Sequence, residues 1–388
     1  MKPPLTSALV VRTCVCTTLV LVLLFSSLAI FAPLYFHPLP GNHTTTTTPA
    51  FPDASPTAVV YNISNSWRAL HFCKSAYCPV DAVVNWSCGS ACGNATTDFH
   101  VFNVYENAST GNSGFSGMDH EAGKIVVAFR GTANTANWIQ DLDFWSMPYP
   151  HPACGELCAI HRGFYKAYDS MREQLLQDVL AMHAQYPTYS LFITGHSLGG
   201  AIAVLSAIEF TTWNLPRTHS PLADNLSVSA AVPTGVTAAD DPAHLMPVEL
   251  YTFGEPRVGN VYFTNWSTSV LSQERQFRVT HARDPVPHLP PRSWGYLHVP
   301  QEHWYPADDS VYMRCADRSD AEDPACSNSV YSTTVSDHLL YLGTCTRCSC
   351  NAATMEEIYN YTLSPEVEAL LATEYLIDHT PPAAVHSR

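Results

Sequence analysis

The apolar positions of this chain fall into two kinds of run that follow one another. Short runs rich in β-branched and aromatic residues predict buried strands, and they read FHVFNVYE, KIVVAFRG, YSLFITG, PVELYTFGEP and RQFRVTHARD. Longer runs with apolar residues at helical spacing predict helices over residues 165–186 and 198–213. Since strands separated by helices form parallel sheets, the pattern predicts an α/β domain whose central, mostly parallel sheet is flanked by helices.

The N-terminal part of the chain lacks this alternation. Residues 13–36 carry no charge and follow Lys2 and Arg12, which predicts a signal peptide or a signal anchor within residues 1–40. Length leaves cleavage and retention equally open, and in both cases the chain that follows is translocated across a membrane. Residues 41–58 are rich in Thr and Pro and predict a linker, so the folded domain is expected to span residues 59–388.

Two segments interrupt the regular order inside this domain. Residues 214–246 combine Pro, Ser and Asp without a hydrophobic period and predict a surface insertion. Residues 351–388 predict a helical C-terminal extension. Its stretch SPEVEALLATEYLI has a Ser cap, Pro at the first helical position and apolar residues at helical spacing.

Charge and cysteine usage bear on partners and cofactors. The 388 residues carry a net charge of −15 and contain no basic patch with interleaved aromatic residues, so nucleic acid is not an expected partner. The CxxC formed by Cys345 and Cys348 has no second CxxC or HxxxH to complete a zinc site. We therefore expect no metal and no other cofactor.

Sequons and the remaining cysteines indicate the secretory pathway. The glycosylation sequons stand at Asn42, Asn62, Asn85, Asn94, Asn107, Asn225, Asn265 and Asn360. Beyond the apolar segment lie eleven cysteines, whose clustering predicts disulfides. The short spacings Cys88 to Cys92 and Cys154 to Cys158 suit local bridges. The stretch CTRCSC offers partners for distant cysteines such as Cys73 and Cys78, and the odd total leaves one thiol free or paired outside the chain.

A single serine stands where a predicted strand meets a predicted helix, in FITGHSLGGAI. The pattern G-x-S-x-G is weak alone, but a sharp strand-to-helix turn forces the serine into a strained conformation and needs Gly on both sides. The context therefore predicts Ser197 as an activated nucleophile rather than an incidental turn residue.

Such a nucleophile needs an imidazole and a carboxylate, which in the α/β-hydrolase order follow the serine as acid and then histidine. Asp284 ends the strand RQFRVTHARD and is favoured over Glu255, whose longer side chain is expected to make a structural hydrogen bond or an Arg pair. The candidate bases on the residues alone are His288, His298, His303 and His338.

Seven ordered motifs over about residues 70–350 resemble the class 3, fungal-type secreted triacylglycerol lipases. They are SAYC with WSCGSAC, VVAFRGTANTANWIQDLDF, HRGFYKAY, FITGHSLGGA, YTFGEPRVGN, RVTHARDPVPHLPP and DHLLYLGTC. The resemblance implies an α/β-hydrolase fold and a triad of Ser197, Asp284 and His338. It also implies an oxyanion hole formed by Thr132 and Leu198, whose position at the start of a helix leaves its N–H unpaired. The cysteine spacing and sequon density are similar to those of secreted protozoan members.

The resemblance also implies disulfides and a lid. The disulfides are Cys78 with Cys345, Cys88 with Cys92, and Cys154 with Cys158, while the pairing of Cys73, Cys315, Cys326, Cys348 and Cys350 stays open. Lid and substrate-binding positions are Trp138, Ile139, Leu142 and Tyr77. The first turn of this lid is unusually polar, so strong interfacial activation is not expected, and a plain surface helix is the alternative.

The sequence thus predicts a serine hydrolase that releases fatty acids from lipid esters at an oil–water or membrane interface, without an obligate protein partner. The alternatives within this class are a phospholipase A1 and a feruloyl-type esterase of soluble esters. The alternative outside the class is an inactive surface glycoprotein that uses the fold for binding. We expect it to be secreted, or tethered through residues 13–36 with the catalytic domain outside the cell.

Overall fold

The computed structural model describes residues 60–107, 111–132, 144–213, 246–271, 275–307 and 310–379. All of them belong to one compact unit, Pro56–Arg388. The predicted signal segment, the linker and almost all of the predicted insertion lie outside the described residues. Within the described ranges, every helix is too short or too polar to cross a membrane.

An eight-stranded sheet forms the centre of this unit, in the order β1-β2-β3-β6-β7-β9-β11-β12. Its strands are β1 Phe99–Asn107, β2 Asn112–Asp119, β3 Lys124–Phe129, β6 Ser190–His196, β7 Val248–Phe253, β9 Gln276–His281, β11 Glu302–Tyr305 and β12 Met313–Arg314. The five strands from β3 to β11 run parallel, and the pairs at both edges are antiparallel. The predicted mostly parallel α/β sheet is therefore confirmed.

Smaller strands and eight α-helices surround this sheet in the described part of the chain. The small strands are β4 Ser146–Pro148, β5 Ala159–His161, β8 Gly259–Asn260, β10 Tyr296–Leu297, β13 Leu340–Tyr341 and β14 Thr344–Cys345. The helices are α1 Ile63–Ala76, α2 Val80–Val84, α3 Arg162–Gln185, α4 Leu198–Trp213, α5 Val261–Val270, α6 Val335–Leu339, α7 Ala352–Asn360 and α8 Pro365–His379. Helices α3, α4 and α8 correspond to the three that the periodicity predicts.

The central strands are buried on both faces, which explains their unbroken apolar runs. Along β3, the side chains of Ile125 and Val127 pack into a core with α3 and α4, whereas those of Val126 and Ala128 pack into a second core with α1. This alternation places the sheet between two helical layers.

The two C-terminal helices, α7 and α8, pack against helix α6 and against the segment that follows strand β9. Ile358 of α7 and Leu371 of α8 join one apolar cluster with Val286 and with Val335 and Leu339 of α6. Helix α7 lies within the predicted helical extension, residues 351–388, although the periodicity predicts only α8 there. The extension therefore packs against the two segments that carry Asp284 and His338.

The disulfides agree with the expected pattern in part. The structure pairs Cys88 with Cys92 and Cys154 with Cys158, as the resemblance implies. The expected pair of Cys78 with Cys345 is wrong, because Cys78 pairs with Cys348 and Cys345 closes a short loop with Cys350. Cys315 pairs with Cys326, and Cys73 is a buried free thiol that accounts for the odd number.

Candidate active site

Ser197 occupies the turn between strand β6 and helix α4. Its φ angle is +60°, in the left-handed region that a non-glycine residue rarely adopts, and its side chain is fully buried. Two backbone hydrogen bonds hold it there: the Ser197 N–H donates to the Phe253 carbonyl at 2.9 Å, and the Gly200 N–H donates to the Ser197 carbonyl at 2.8 Å. The strained serine that the sequence predicts is therefore present.

The flanking glycines allow the strand and the helix to pass at close range. A Cβ atom on Gly195 would lie 2.0 Å from the Gly199 carbonyl oxygen, and one on Gly199 would lie 2.3 Å from the Phe129 carbonyl oxygen. No side chain fits at either position, so the turn requires Gly on both sides of the serine.

The loop after β3 lies beside this turn because β3 and β6 are parallel neighbours, with Phe129 opposite Gly195. A Cβ atom on Gly131 would be 2.9 Å from the Ser197 Cβ, so the next residue, Thr132, is also close to the serine. Leu198 is the first residue of α4, where backbone N–H groups have no acceptor within the helix. Both expected oxyanion residues thus flank Ser197.

Asp284 follows strand β9, and His338 lies at the end of the five-residue helix α6. The His338 Nδ1–H donates to Asp284 Oδ2 at 2.9 Å, and both side chains are buried. The Tyr341 hydroxyl donates to the same oxygen at 2.5 Å, and the Val286 N–H donates to Asp284 Oδ1 at 2.8 Å. Asp284 therefore accepts three hydrogen bonds and fixes the His338 tautomer, with the Nε2 lone pair available.

The two atoms that would exchange a proton are both left without a partner. Among the described residues, neither Ser197 Oγ nor His338 Nε2 has a hydrogen-bond partner, although both are buried. Unsatisfied buried polar atoms are rare and are often found where a ligand or substrate binds. The serine hydroxyl and the imidazole are therefore a candidate nucleophile and base.

The rival residues have other partners. Glu255 accepts a hydrogen bond from the Thr252 hydroxyl at 2.6 Å, the structural role expected for it, and burial raises the pKa of Glu255 to about 7. The side chain of His288 bonds to Ser332, that of His298 donates to the Pro287 carbonyl, and that of His303 stacks on Tyr61.

These three histidines are also poor bases. Burial lowers the pKa of His288 to about 3 and that of His303 to about 4, and lowers the pKa of His298 well below its ordinary value. They are neutral structural residues, and His338 is the candidate that meets Asp284.

Three supporting residues escaped the sequence analysis. Gly254, with φ +54°, lies directly against the His338 and Asp284 side chains. The His196 ring lies 4.5 Å from the His338 ring, centroid to centroid, and the Tyr341 hydroxyl contacts Asp284. The sequence held one usable signal, a glycine at the end of the predicted strand YTFG beside a candidate acid.

The predicted lid residues Trp138, Ile139 and Leu142 lie outside the described residues. Tyr77 is described, and its hydroxyl lies 2.8 Å from His196 Nδ1. Trp145, which follows these positions in the chain, precedes strand β4 outside any helix and is 69% exposed.

In the described part of the chain, one group of side chains has metal-ligand atoms close together, formed by Glu302, Cys315 and Cys326. The two cysteines are joined in a disulfide and so offer no thiolate. This group does not fit a metal ion.

The parallel sheet, the serine turn and the His338–Asp284 pair define an α/β-hydrolase fold. The family described as "Lipase (class 3)" matches residues 126–294. A Rhizomucor miehei lipase is 33% identical over 69% of this chain, and a secreted mono- and diacylglycerol lipase of Fusarium solani is 30% identical over 64% of it. The chain spans 65% of the length of each of these curated relatives.

The fold also resembles solved lipase structures. One is a triacylglycerol lipase whose catalytic centre is described as a serine protease triad; its TM-score is 0.60 and its identity is 31%, over 74% of this chain and 97% of that one. The chain belongs to the class 3 lipases.

Proposed function

We propose that this protein is a secreted serine esterase that hydrolyses carboxylic esters of lipids, with triacylglycerol as the substrate class. The observation that carries the proposal is the buried His338–Asp284 pair beside a serine held at φ +60°, with Ser197 Oγ and His338 Nε2 both unpartnered among the described residues. The triacylglycerol lipase with a serine protease triad supports the substrate class, because its fold is similar.

In this proposal the Ser197 hydroxyl attacks the ester carbonyl while its proton passes to His338 Nε2. Asp284, which accepts the Nδ1–H of His338, stabilises the imidazolium ion that forms. The tetrahedral oxyanion receives hydrogen bonds from the backbone N–H groups of Thr132 and Leu198. The imidazolium then protonates the leaving alcohol, and an acyl-enzyme remains. Water attacks the acyl carbonyl as His338 Nε2 accepts its proton, and the imidazolium returns a proton to Ser197 as the fatty acid leaves.

Export from the cell is part of the same proposal. Of the eight sequons, Asn62, Asn85, Asn265 and Asn360 are exposed and Asn107 is half-buried. Asn42 and Asn225, together with the Asn94 side chain, lie outside what the structure describes. Disulfides on both sides of the sheet fit an oxidising compartment, and the Fusarium solani relative is described as secreted. N-terminal sequencing of the exported protein decides whether residues 13–36 are cleaved.

The test is fatty-acid release by the full chain, expressed through a secretory pathway and compared with Ser197→Ala. A matched control is Ser206→Ala on the same helix α4. Ser206 is equally buried, and its hydroxyl has no hydrogen-bond partner among the described residues, so the control removes the same atom without a catalytic role. We expect Ser197→Ala to lose about six decades of turnover and Ser206→Ala to retain it. Activity that survives in Ser197→Ala, or an absence of activity on every lipid ester, would contradict the proposal.

The same assay separates the substrate alternatives when the ester concentration crosses its solubility limit. A jump in serine-dependent activity when emulsion forms indicates an interfacial lipase. Saturation on dissolved ester indicates an esterase, and preference for a phospholipid indicates a phospholipase A1.

A further inference from the structure

The ring of His196, the residue before the candidate nucleophile, is buried and hydrogen-bonded through both nitrogens. Its Nε2 lies 2.7 Å from the His338 carbonyl oxygen, which can only accept, so Nε2 carries the proton and donates. Its Nδ1 lies 2.8 Å from the Tyr77 hydroxyl and must therefore accept from that hydroxyl. His196 is thus held as one neutral tautomer between Tyr77 and the backbone of His338.

Neutrality of His196 matters because the centroids of the His196 and His338 rings are 4.5 Å apart. A second positive charge at that distance would oppose the imidazolium that the reaction forms on His338. Burial first, and then the charge of His338, lower the pKa of His196 well below its ordinary value. Burial raises the pKa of Tyr77, which therefore keeps the proton that it donates to Nδ1.

Tyr77 connects this histidine to the loop that carries the expected oxyanion residue. The Tyr77 hydroxyl lies against Gly131, and the next residue is Thr132. The approach is close, since a Cβ atom on Gly131 would lie 2.3 Å from that oxygen. One hydroxyl therefore contacts the oxyanion loop and the serine turn together.

The end of helix α1 is in turn tied to the chain that follows His338. The residue after Tyr77, Cys78, is in a disulfide with Cys348. The buried Lys74 ammonium donates to the Arg347 carbonyl at 2.7 Å and to the Cys345 carbonyl at 3.2 Å. These contacts fix Tyr77 relative to the segment after the catalytic histidine.

We propose that Tyr77 and His196 are positioning residues for the hydrolysis. The Tyr77 hydroxyl lies against Gly131 and donates to His196 Nδ1, and His196 Nε2 donates to the His338 carbonyl. They hold the backbone of the catalytic base at a fixed distance from the oxyanion loop. This proposal rests on the proposed function, and it assigns to Tyr77 a role that differs from the expected substrate contact.

The first test removes one hydroxyl by Tyr77→Phe in the full chain. The matched control is Tyr105→Phe, because the Tyr105 hydroxyl also makes hydrogen bonds to side chains, those of Ser116 and Asp178, but lies on strand β1. On a water-soluble short-chain ester we expect Tyr77→Phe to lower kcat about tenfold with KM unchanged, since small displacements of reacting groups have large effects on rate. Tyr105→Phe should lower the melting temperature and leave kcat unchanged.

The second test compares two replacements of similar size at position 196. His196→Gln keeps an N–H donor within reach of the His338 carbonyl, and His196→Met does not. We expect the Gln variant to retain at least about ten times the kcat of the Met variant, the same factor that we expect for the loss of the Tyr77 hydroxyl.

Equal losses of kcat in the two variants at position 196 would mean that the His196 ring only fills space, and a wild-type kcat in Tyr77→Phe would mean that its hydroxyl does not position the site. Either result overturns the proposal. A wild-type protein without Ser197-dependent activity would instead show that the proposed function itself has failed, and the positioning role would fail with it.

Discussion

Gly254→Ala tests whether the backbone beneath the histidine–aspartate pair sets the geometry of the site. Gly254 follows strand β7 and has a φ angle of +54°. A Cβ atom there would lie 2.7 Å from His338 Nδ1 and 2.8 Å from Asp284 Oδ2. These are the two atoms that form the hydrogen bond of the pair, so the new methyl group meets the bond itself.

The size of the effect follows from two contributions. A left-handed conformation costs an alanine about 1–2 kcal/mol of folding free energy relative to glycine. The methyl group also needs about 3.4 Å of clearance, so the imidazole must move by about 0.7 Å and the carboxylate by about 0.6 Å. A displacement approaching 1 Å costs about 100-fold in rate. We therefore expect kcat to fall about 10-fold to 100-fold, with a stability loss of about 1–3 kcal/mol.

The control is Gly89→Ala, since Gly89 has a φ angle of +58° and no atom within 4 Å of a built Cβ. It imposes the same backbone strain without the collision. Thermal unfolding and kcat on a water-soluble ester are measured for both variants, so that binding at an interface does not enter. If Gly254→Ala is destabilised like Gly89→Ala and keeps the wild-type kcat, the pair tolerates the methyl group and the reasoning is wrong.

Three further predictions concern a buried acid, the support of Asp284 and the corrected disulfides. Burial raises the pKa of Glu255 from 4.5 to about 7, so the stability from its neutral form is complete below about pH 4.5 and is lost as pH rises through 7. In urea unfolding, the free energy of unfolding of Glu255→Gln should therefore gain up to about 3 kcal/mol relative to wild type between pH 5 and pH 8. A difference between the two proteins that stays constant with pH would contradict this. Tyr341→Phe removes a hydrogen bond to Asp284 and should lower kcat about tenfold at constant KM, whereas an unchanged kcat would show that the other two donors suffice. In a non-reduced tryptic digest, cleavage after Arg347 should leave the peptides of Cys78, Cys345 and Cys348 joined in one species by mass spectrometry. The Cys315 peptide stays attached to this species, because Cys326 lies on the same tryptic peptide as Cys345. A species that joins the Cys78 and Cys345 peptides but lacks the Cys348 peptide would restore the pairing that the structure contradicts.

Strands buried on both faces were predictable because a short, unbroken run of β-branched and aromatic residues is typical of a strand inside a parallel sheet. Strand β2 was not, since its sequence NSGFSGMD contains two glycines and small polar residues. Pairing on both sides overrides that composition. A Cβ atom on Gly117 would lie 2.2 Å from the His100 carbonyl oxygen, so the glycine serves the close approach of strand β1.

The disulfide error has a different cause. Cys345 and Cys348 are three residues apart, and both follow His338 at the end of a short hairpin. Which one reaches Cys78 depends on the course of the backbone after β14, and neither spacing nor composition specifies it. The local pairs were predictable because a separation of four residues restricts the possible partners.

The candidate site shows the same division between local and distant information. Ser197 and Asp284 are visible in the sequence because the chemistry requires those residue types where a strand ends, and the four candidate histidines are visible because the base follows the acid along the chain. The residues that hold them are an ordinary tyrosine, histidine or glycine, and their contacts join segments far apart, with His196 meeting a carbonyl 142 positions away. Tyr77 fixes the tautomer of His196, while the Val286 N–H and the Tyr341 hydroxyl hold the Asp284 carboxylate. The fold therefore sets the geometry of the proposed triad through residues that have no motif. Substitutions at these positions, rather than at the triad, therefore measure how much of the rate depends on the placement of its members.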